Sequence, residues 1–434
     1  MVTSKDRGFA RLGGMLVAVL ACVSLVAQGL RPEEHWVGSW ATAVMERAVP
    51  QETPAGPQAP ALAAAPVNFN HQTLRQIVHV SLGGDRLRVV FSNAYGTTPL
   101  EIGAAHVALR DQAAAIKAQS ARELRFGGRP TASIPPGALF ISDPVSLTVP
   151  AAADLVVDTY LPGNTDNQPV TVHAASWQTG YVSETGNFSG SPRFTVKETT
   201  DFMRGALPSA SWFFLSRVEV AVPQQAGAVV TLGDSITDGT QSGNNANNRW
   251  PDQLARRFAA ANIQMGVLNV GIGGNRVLSD GNGISALARF DRDVLAQTGA
   301  THVIFFEGIN DIQGNVAKPP SAEDLIAAHQ QIIERAHSRG LKIFGATLTP
   351  FGGANGYNPE REARRQQLNQ WIRTGKMYDG VIDFEAAVKD PTAQPMKIRA
   401  DFDPGDHLHL NAVGYKAMAD IIDLDLFGST RRPR

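Results

Sequence analysis

The spacing of apolar and polar positions changes near residue 226. Beyond it, runs of four to six mainly apolar residues predict five buried strands, at 229–232, 266–270, 302–306, 341–346 and 380–383. Helical periodicity between and after these runs predicts helices at 249–261, 285–297, 322–338, 359–373 and 412–422. Short strands that alternate with helices favour parallel pairing through right-handed crossovers. The pattern therefore predicts a three-layer α/β/α domain.

The stretch before this point has a different pattern. Between residues 68 and 222, β-rich runs are separated by Pro, Gly and Asn turns, and no long helical pattern interrupts them. Runs at 77–82 and 87–91 flank Gly83-Gly84-Asp85, an arrangement that predicts a β-hairpin. We therefore expect an antiparallel β-sandwich-like domain ahead of the α/β domain.

The first residues have the pattern of a targeting segment. Basic residues precede an apolar run at 12–27 that is too short to span a bilayer comfortably, as in a secretory signal peptide. Cys22 lies in a Val-Leu-Ala-Cys sequence similar to a lipoprotein cleavage box. Because the apolar run continues past Cys22, cleavage near Ala27 is favoured over lipidation. The sequence thus predicts a secreted or periplasmic protein without a stable membrane span.

Four parts follow from these patterns. They are a signal peptide at 1–27, a segment with a Pro/Ala-rich loop at 28–67, a β-rich accessory domain at 68–225 and the α/β domain at 226–434. Removal of the first part takes away three cations and one anion, so the formal charge of −1 becomes −3.

The composition and short motifs exclude several kinds of partner and site. Lys and Arg number 39 against 40 Asp and Glu, so no basic excess indicates nucleic acid as a partner. A single cysteine excludes an intramolecular disulfide and any multi-cysteine metal site. Neither the dinucleotide-binding nor the P-loop glycine spacing occurs, and G-x-S-x-G is absent. We expect no cofactor and no metal.

Polar segments follow the predicted strands or precede the last helix. They are Gly233-Asp234-Ser235-Ile236-Thr237-Asp238-Gly239, Gly271-Ile272-Gly273-Gly274-Asn275-Arg276, Glu307-Gly308-Ile309-Asn310-Asp311 and the segment 403–411. Ligands of open parallel sheets bind outside the carboxyl ends of the strands, so these segments should meet at one edge. Together they supply a hydroxyl, an imidazole, carboxylates, a carboxamide and backbone N–H groups, which is the set that acyl transfer requires.

Each of these groups has a predicted role. Ser235 is the expected nucleophile, His409 its general base, and Asp406 the carboxylate that orients the imidazole. The backbone N–H groups of Ser235 and Gly274 and the side-chain amide of Asn310 are the expected oxyanion donors.

Several neighbours have competing interpretations. His407 is the rival base, but it is adjacent to Asp406, so we expect it at the rim of the site, where it could touch substrate. Arg276 could contact substrate or form a surface salt bridge. Asp383 is a weaker candidate to orient the imidazole. Asp234 and Asp238 are expected to have structural roles at the start of a helix.

These segments resemble the GDSL, or SGNH, hydrolase family over roughly residues 228–425. Gly233-Asp234-Ser235 is similar to its nucleophile block, Gly274 to its glycine block, Gly308-Ile309-Asn310-Asp311 to its G-x-N-D block and Asp406…His409 to its D-x-x-H block. The family often has Pro after the histidine, whereas this chain has Leu410. The resemblance implies a flavodoxin-like α/β/α fold. The β-rich part is similar, less specifically, to the amino-terminal module of bacterial aryl and carbohydrate acetyl esterases.

The resemblance implies a serine esterase that acts on small acyl esters, acetyl esters of carbohydrates among them, and the leader predicts that it is exported. A small-molecule or carbohydrate ester is then its expected partner, and its oligomeric state stays open. Two alternatives remain at this point. One is a carbohydrate- or cell-wall-binding protein without catalysis. The other is a lipase, lysophospholipase or thioesterase of the same family.

Overall fold

A computed structural model describes residues 1, 34–47, 68–165, 168–199, 211–314 and 319–428. Apart from Met1, the predicted signal peptide, including Cys22, lies outside the described residues, as does nearly all of the Pro/Ala-rich loop. Within the described residues, no helix is both long and apolar enough to cross a membrane.

The β-rich part contains sixteen strands among the described residues. They are β1 His35–Ala41, β2 Met45–Arg47, β3 Asn70–His79, β4 Gly84–Ser92, β5 Leu100–Ile102, β6 Ala104–Leu109, β7 Arg122–Leu124, β8 Ala132–Ile134, β9 Leu139–Ile141, β10 Val145–Val149, β11 Asp154–Asn164, β12 Val170–His173, β13 Tyr181–Thr185, β14 Val196–Thr199, β15 Trp212–Phe213 and β16 Leu215–Val222. A short 3₁₀ turn lies at Ala118–Ser120.

These strands form antiparallel sheets, as predicted. One sheet has the order β1-β16-β4-β10 with β9 added on β4, and a second has the order β14-β13-β3-β11-β6-β7. Smaller sheets have the orders β15-β12-β2 and β5-β8. Apolar side chains of the two large sheets belong to one continuous core that includes the α/β part.

The predicted hairpin at 77–91 is wrong. β3 pairs with β11 and β13, whereas β4 pairs with β16, β10 and β9, so the two strands lie in different sheets. The backbone N–H of Ser81 donates to the carbonyl of Ser39 at 2.8 Å, and that of Leu82 donates to the Ser39 hydroxyl at 2.9 Å. Because β1 takes up the hydrogen bonds of the connection, the chain crosses between sheets there and does not reverse within one.

The α/β part begins with β17 Gly227–Gly233 and contains five strands and eight α-helices among the described residues. The other strands are β18 Met265–Asn269, β19 Ala300–Phe306, β20 Lys342–Ala346 and β21 Gly380–Ile382. The helices are α1 Ser235–Asp238, α2 Trp250–Ala260, α3 Ala286–Phe290, α4 Ile309–Gln313, α5 Ala322–His337, α6 Pro359–Thr374, α7 Phe384–Val388 and α8 Ala412–Asp420. The predicted helix at 285–297 continues after α3 as a π-helical turn, Asp291–Leu295, and a 3₁₀ turn lies at Leu424–Phe427.

The five strands are parallel and lie in the order β18-β17-β19-β20-β21. This is the flavodoxin-like order, whose ligand site lies where the strand order reverses, between β17 and β19. Gly233 is paired with Phe306 in the register of these two strands. The segments that follow β17 and β19 therefore leave the sheet side by side.

Candidate active site

The serine, histidine and aspartate proposed from the sequence form one hydrogen-bonded chain. His409 Nε2 lies 2.9 Å from Ser235 Oγ, and His409 Nδ1 lies 2.6 Å from Asp406 Oδ2. A carboxylate only accepts, so Nδ1 carries the proton and Nε2 presents its lone pair to the serine hydroxyl. The serine side of this arrangement is confined, because Ser235 is only 7% exposed.

Local backbone geometry holds both Ser235 and Asp406, the two ends of the triad. Ser235 is the first residue of α1, and the Asp234 carboxylate caps that helix by accepting from the Ile236 N–H at 3.0 Å. Asp406 Oδ1 accepts the backbone N–H groups of Leu408 and His409 at 3.0 and 2.9 Å. Burial raises the pKa of Asp406, but the hydrogen bonds from His409 and the two N–H groups outweigh burial. The pKa therefore lies well below its usual value.

The three expected oxyanion donors leave the same edge of the sheet. Among the described residues, the backbone N–H groups of Ser235 and Gly274 donate no hydrogen bond. Asn310 uses one amide hydrogen on the carbonyl of Asn275 at 3.0 Å, which leaves its second hydrogen available. Gly274 has φ +74°, a left-handed backbone conformation that favours glycine at this turn.

Buried carboxyl groups lie behind the site. Burial raises the pKa of Asp234 to about 7 and that of Asp311 to about 6, and it raises the pKa of Glu307 well above its usual value. Asp311 accepts the backbone N–H groups of Val277 and Leu278 at 2.8 and 3.1 Å. It thereby fixes the segment that follows the glycine turn, a structural role that the sequence did not single out.

Arg289 joins the ends of three strands and was missed at the sequence level. Its side chain is fully buried and donates to the carbonyls of Val270 and Gly233 and to Asn275 Oδ1. It also lies 3.6 Å from a carboxylate oxygen of Glu307. A charged residue on the apolar face of the predicted helix, beside Phe290, is the signal that could have identified it.

The other candidate residues of the site have partners outside the triad. His407 Nδ1 contacts Asp403 Oδ2 at 2.5 Å, so a carboxylate four residues before it, and not Asp406, is its partner. Arg276 reaches the carbonyl of Asp280 at 3.5 Å. Asp383 binds Arg373 and the Thr347 hydroxyl, so it is not hydrogen-bonded to the imidazole of the site.

Asp238 makes a contact that no sequence signal indicated. Its carboxylate lies 3.0 Å from the ring of His173, a residue of the β-rich part, and 3.2 Å from the N–H of Gly273. Within the described residues, no group of three or more His, Cys, Asp or Glu side chains is arranged to hold a metal ion.

Comparison with known proteins places the α/β part. Residues 231–417 match the family model described as the GDSL-like lipase/acylhydrolase family. No curated protein matches the chain.

Several solved structures are similar to part of the chain. An acetyl xylan esterase is 22% identical, with 44% of this chain and 96% of that one covered and a TM-score of 0.37. A GDSL-like lipase from Bacteroides thetaiotaomicron VPI-5482 is 18% identical, with 48% and 90% covered and a TM-score of 0.36. A variant of an acetyl-xylooligosaccharide esterase from Geobacillus Stearmophilus is 19% identical, with 49% and 100% covered and a TM-score of 0.36.

Proposed function

We propose that this chain works through an acyl-enzyme intermediate on Ser235. Through residues 231–417 it belongs to the GDSL-like lipase/acylhydrolase family, and it is a carboxylic ester hydrolase. The observation that carries the proposal is the continuous contact from Asp406 through His409 to the Ser235 hydroxyl. A serine hydroxyl is a weak nucleophile, and an adjacent base of suitable pKa is what activates it.

The reaction proceeds in two halves. His409 Nε2 takes the Ser235 proton while Oγ attacks the ester carbonyl carbon, and the carbonyl oxygen becomes an oxyanion. The N–H groups of Ser235 and Gly274 and the free amide hydrogen of Asn310 stabilise that charge. The imidazolium then protonates the leaving alkoxide, and a water activated by His409 releases the carboxylic acid and restores the serine.

A small acyl group, such as acetyl, suits this nucleophile best. Ser235 is only 7% exposed, and a compact acyl group needs less room at its hydroxyl than a long one. We propose a carbohydrate hydroxyl as the alcohol, following the resemblance of the β-rich part to modules of carbohydrate acetyl esterases. We also propose export, on the basic residues and the apolar run that open the chain.

Hydrolysis of p-nitrophenyl acetate by the purified protein tests the mechanism. Ser235→Ala should lower kcat by about 10⁴-fold or more, because the covalent route is lost. Ser242→Ala is the matched control, since Ser242 is also buried, close in sequence and not hydrogen-bonded to His409. Equal rates for the wild type and Ser235→Ala, or no activity on a broad ester panel, would reject the proposal. A series from acetyl to palmitoyl esters tests the acyl preference, and an optimum at long chains would favour a lipase.

A further inference from the structure

His173, at the end of β12, is buried against the α/β part. Its Nδ1 lies 2.7 Å from the carbonyl of Ala43, and its Nε2 lies 3.0 Å from Asp238 Oδ1. The side chains of His173 and Asp238 are only 2% and 4% exposed. Two partners on opposite sides thus hold the imidazole away from water.

The partners define where the protons are. A carbonyl only accepts, so Nδ1 of His173 carries a hydrogen. A hydrogen bond between Nε2 and Asp238 Oδ1 then needs one more proton between them, on either atom. In both arrangements the ring of His173 determines which way the Asp238 carboxyl faces.

The second oxygen of Asp238 reaches the glycine turn. Oδ2 accepts the backbone N–H of Gly273 at 3.2 Å, and the next N–H along the chain is that of Gly274, an expected oxyanion donor. Asp238 is also the last residue of the helix that Ser235 begins. One carboxyl therefore ties together the two backbone segments that carry the oxyanion N–H groups.

Trp212 and Arg249 restrict the contact between His173 and Asp238. His173 stacks on Trp212, with ring centroids 5.6 Å apart and an interplanar angle of 30°. Arg249 Nε donates to the Asp238 carbonyl at 2.9 Å. The stacked ring and the guanidinium thus hold the His173–Asp238 pair in place.

We infer that His173 is a positioning residue for ester hydrolysis, which acts through Asp238 to fix the oxyanion-binding turn at Gly273-Gly274. The inference rests on the proposed function. It gives the β-rich part a role in turnover, because the ring that orients Asp238 comes from β12. A displacement of about 1 Å in such a group can cost about 10²-fold in rate.

Kinetics of three variants on p-nitrophenyl acetate test this role. His173→Ala and Asp238→Ala should each lower kcat by about 10- to 100-fold, while KM changes by less than about 3-fold. The oxyanion stabilisation that a misplaced turn loses is made only in the transition state. Asp238→Asn should restore kcat to within about 3-fold of the wild type. Its amide can donate to His173 Nε2 and its carbonyl can accept from the Gly273 N–H, so the hydrogen bonds survive without the carboxylate.

His79→Ala is the matched control. His79 is another histidine of the β-rich part, paired at 2.7 Å with Asp154, and it makes no hydrogen bond to the glycine turn. It should keep wild-type kcat. All rates are expressed per reactive Ser235, titrated with an organophosphate, so a variant that folds incompletely is still measured by its folded fraction.

The outcomes distinguish failure of the proposed function from failure of the positioning role alone. A wild type without activity, or one matched by Ser235→Ala, overturns the proposed function itself. An active, Ser235-dependent wild type with unchanged kcat in His173→Ala and Asp238→Ala overturns only the positioning role. Equal losses in the His79 control, or a failure of Asp238→Asn to recover, would also overturn it.

Discussion

His407 and His409 carry the same side chain two positions apart, but only His409 contacts the serine. The partner of His407 is Asp403, and its ring is 42% exposed against 16% for His409. His407 also has φ +60°, in the left-handed region that few non-glycine residues adopt. The two residues thus form a natural pair for comparison within one short loop.

His409→Ala should lower kcat for p-nitrophenyl acetate by about 10⁴-fold or more, because Ser235 then has no base. His407→Ala should change kcat by less than about 10-fold, since the base, the nucleophile and the oxyanion donors all remain. Circular dichroism of both variants checks that the fold is kept. A larger loss for His407→Ala than for His409→Ala would show that His409 is not the base.

At this scale the sequence predicted contacts that depend on short spacing. Asp406 and His409 lie three residues apart, and a turn is enough to bring them together. The pairing of Asp403 with His407 was not predicted, and His407 also has a positive φ that local sequence does not indicate. His173 was out of reach for another reason: it is 65 residues from Asp238, and the two residues meet only through the packing of the β-rich part against the α/β part.

At the scale of elements, the end of β19 carries an unusual buried acid. Glu307 is fully buried, and neither of its carboxylate oxygens has a hydrogen-bond partner within the described residues. Burial raises its pKa well above the usual value, and Arg289 at 3.6 Å only partly offsets this. The folded protein therefore holds a proton on Glu307 at pH values where the unfolded chain has released it.

This difference sets the direction of a pH effect on stability. Above about pH 4.3 the folded state binds more protons than the unfolded state, so stability is lost as the pH rises toward the raised pKa. Glu307→Gln removes this group. The slope of the free energy of unfolding against pH should become flatter by up to about 1.4 kcal/mol per pH unit.

Denaturant unfolding between about pH 5 and about pH 8 measures that slope. The variant should gain stability over the wild type as the pH rises. Glu360→Gln, at a side chain that is 75% exposed, is the control and should leave the slope unchanged. Parallel curves for the wild type and Glu307→Gln would show that Glu307 is ionised in the folded state.

Element types in the α/β part were predictable, because each strand is a short apolar run and each long helix has an apolar stripe. The β-rich part was harder. The run at 77–82 and the run at 87–91 look like two arms of one hairpin, yet the N–H groups of Ser81 and Leu82 donate to Ser39 of β1, and the chain crosses to another sheet. Such a contact is non-local, and local turn chemistry does not report it.

At the scale of the whole molecule, the described residues from Trp36 onward form one compact unit. The division into domains at residues 225 and 226 stays a prediction, but side chains from both sides share one core. Hydrogen bonds also cross the proposed boundary. The Gly38 N–H donates to the carbonyl of Thr298 at 2.9 Å, and the Ser81 hydroxyl accepts from the Val267 N–H at 2.9 Å.

Gly266 is the position where this close approach can be tested. A Cβ on Gly266 would lie 2.1 Å from the carbonyl oxygen of Gly38, and a backbone atom cannot move aside as a flexible side chain can. Gly266→Ala must therefore separate β1 from β18. Overpacking of this kind typically costs about 1–3 kcal/mol.

Because the unit is continuous, that cost should appear in the whole protein at once. Calorimetry of the wild type should show a single transition, and Gly266→Ala should lower its Tm without splitting it. Gly163→Ala is the matched control: a Cβ there meets nothing within 4 Å and its φ is not positive, so its Tm should stay close to that of the wild type. Two separate transitions, with only one displaced by Gly266→Ala, would instead mean that the β-rich and α/β parts unfold independently. His173 would then reach the glycine turn across a weak interface that opens on its own.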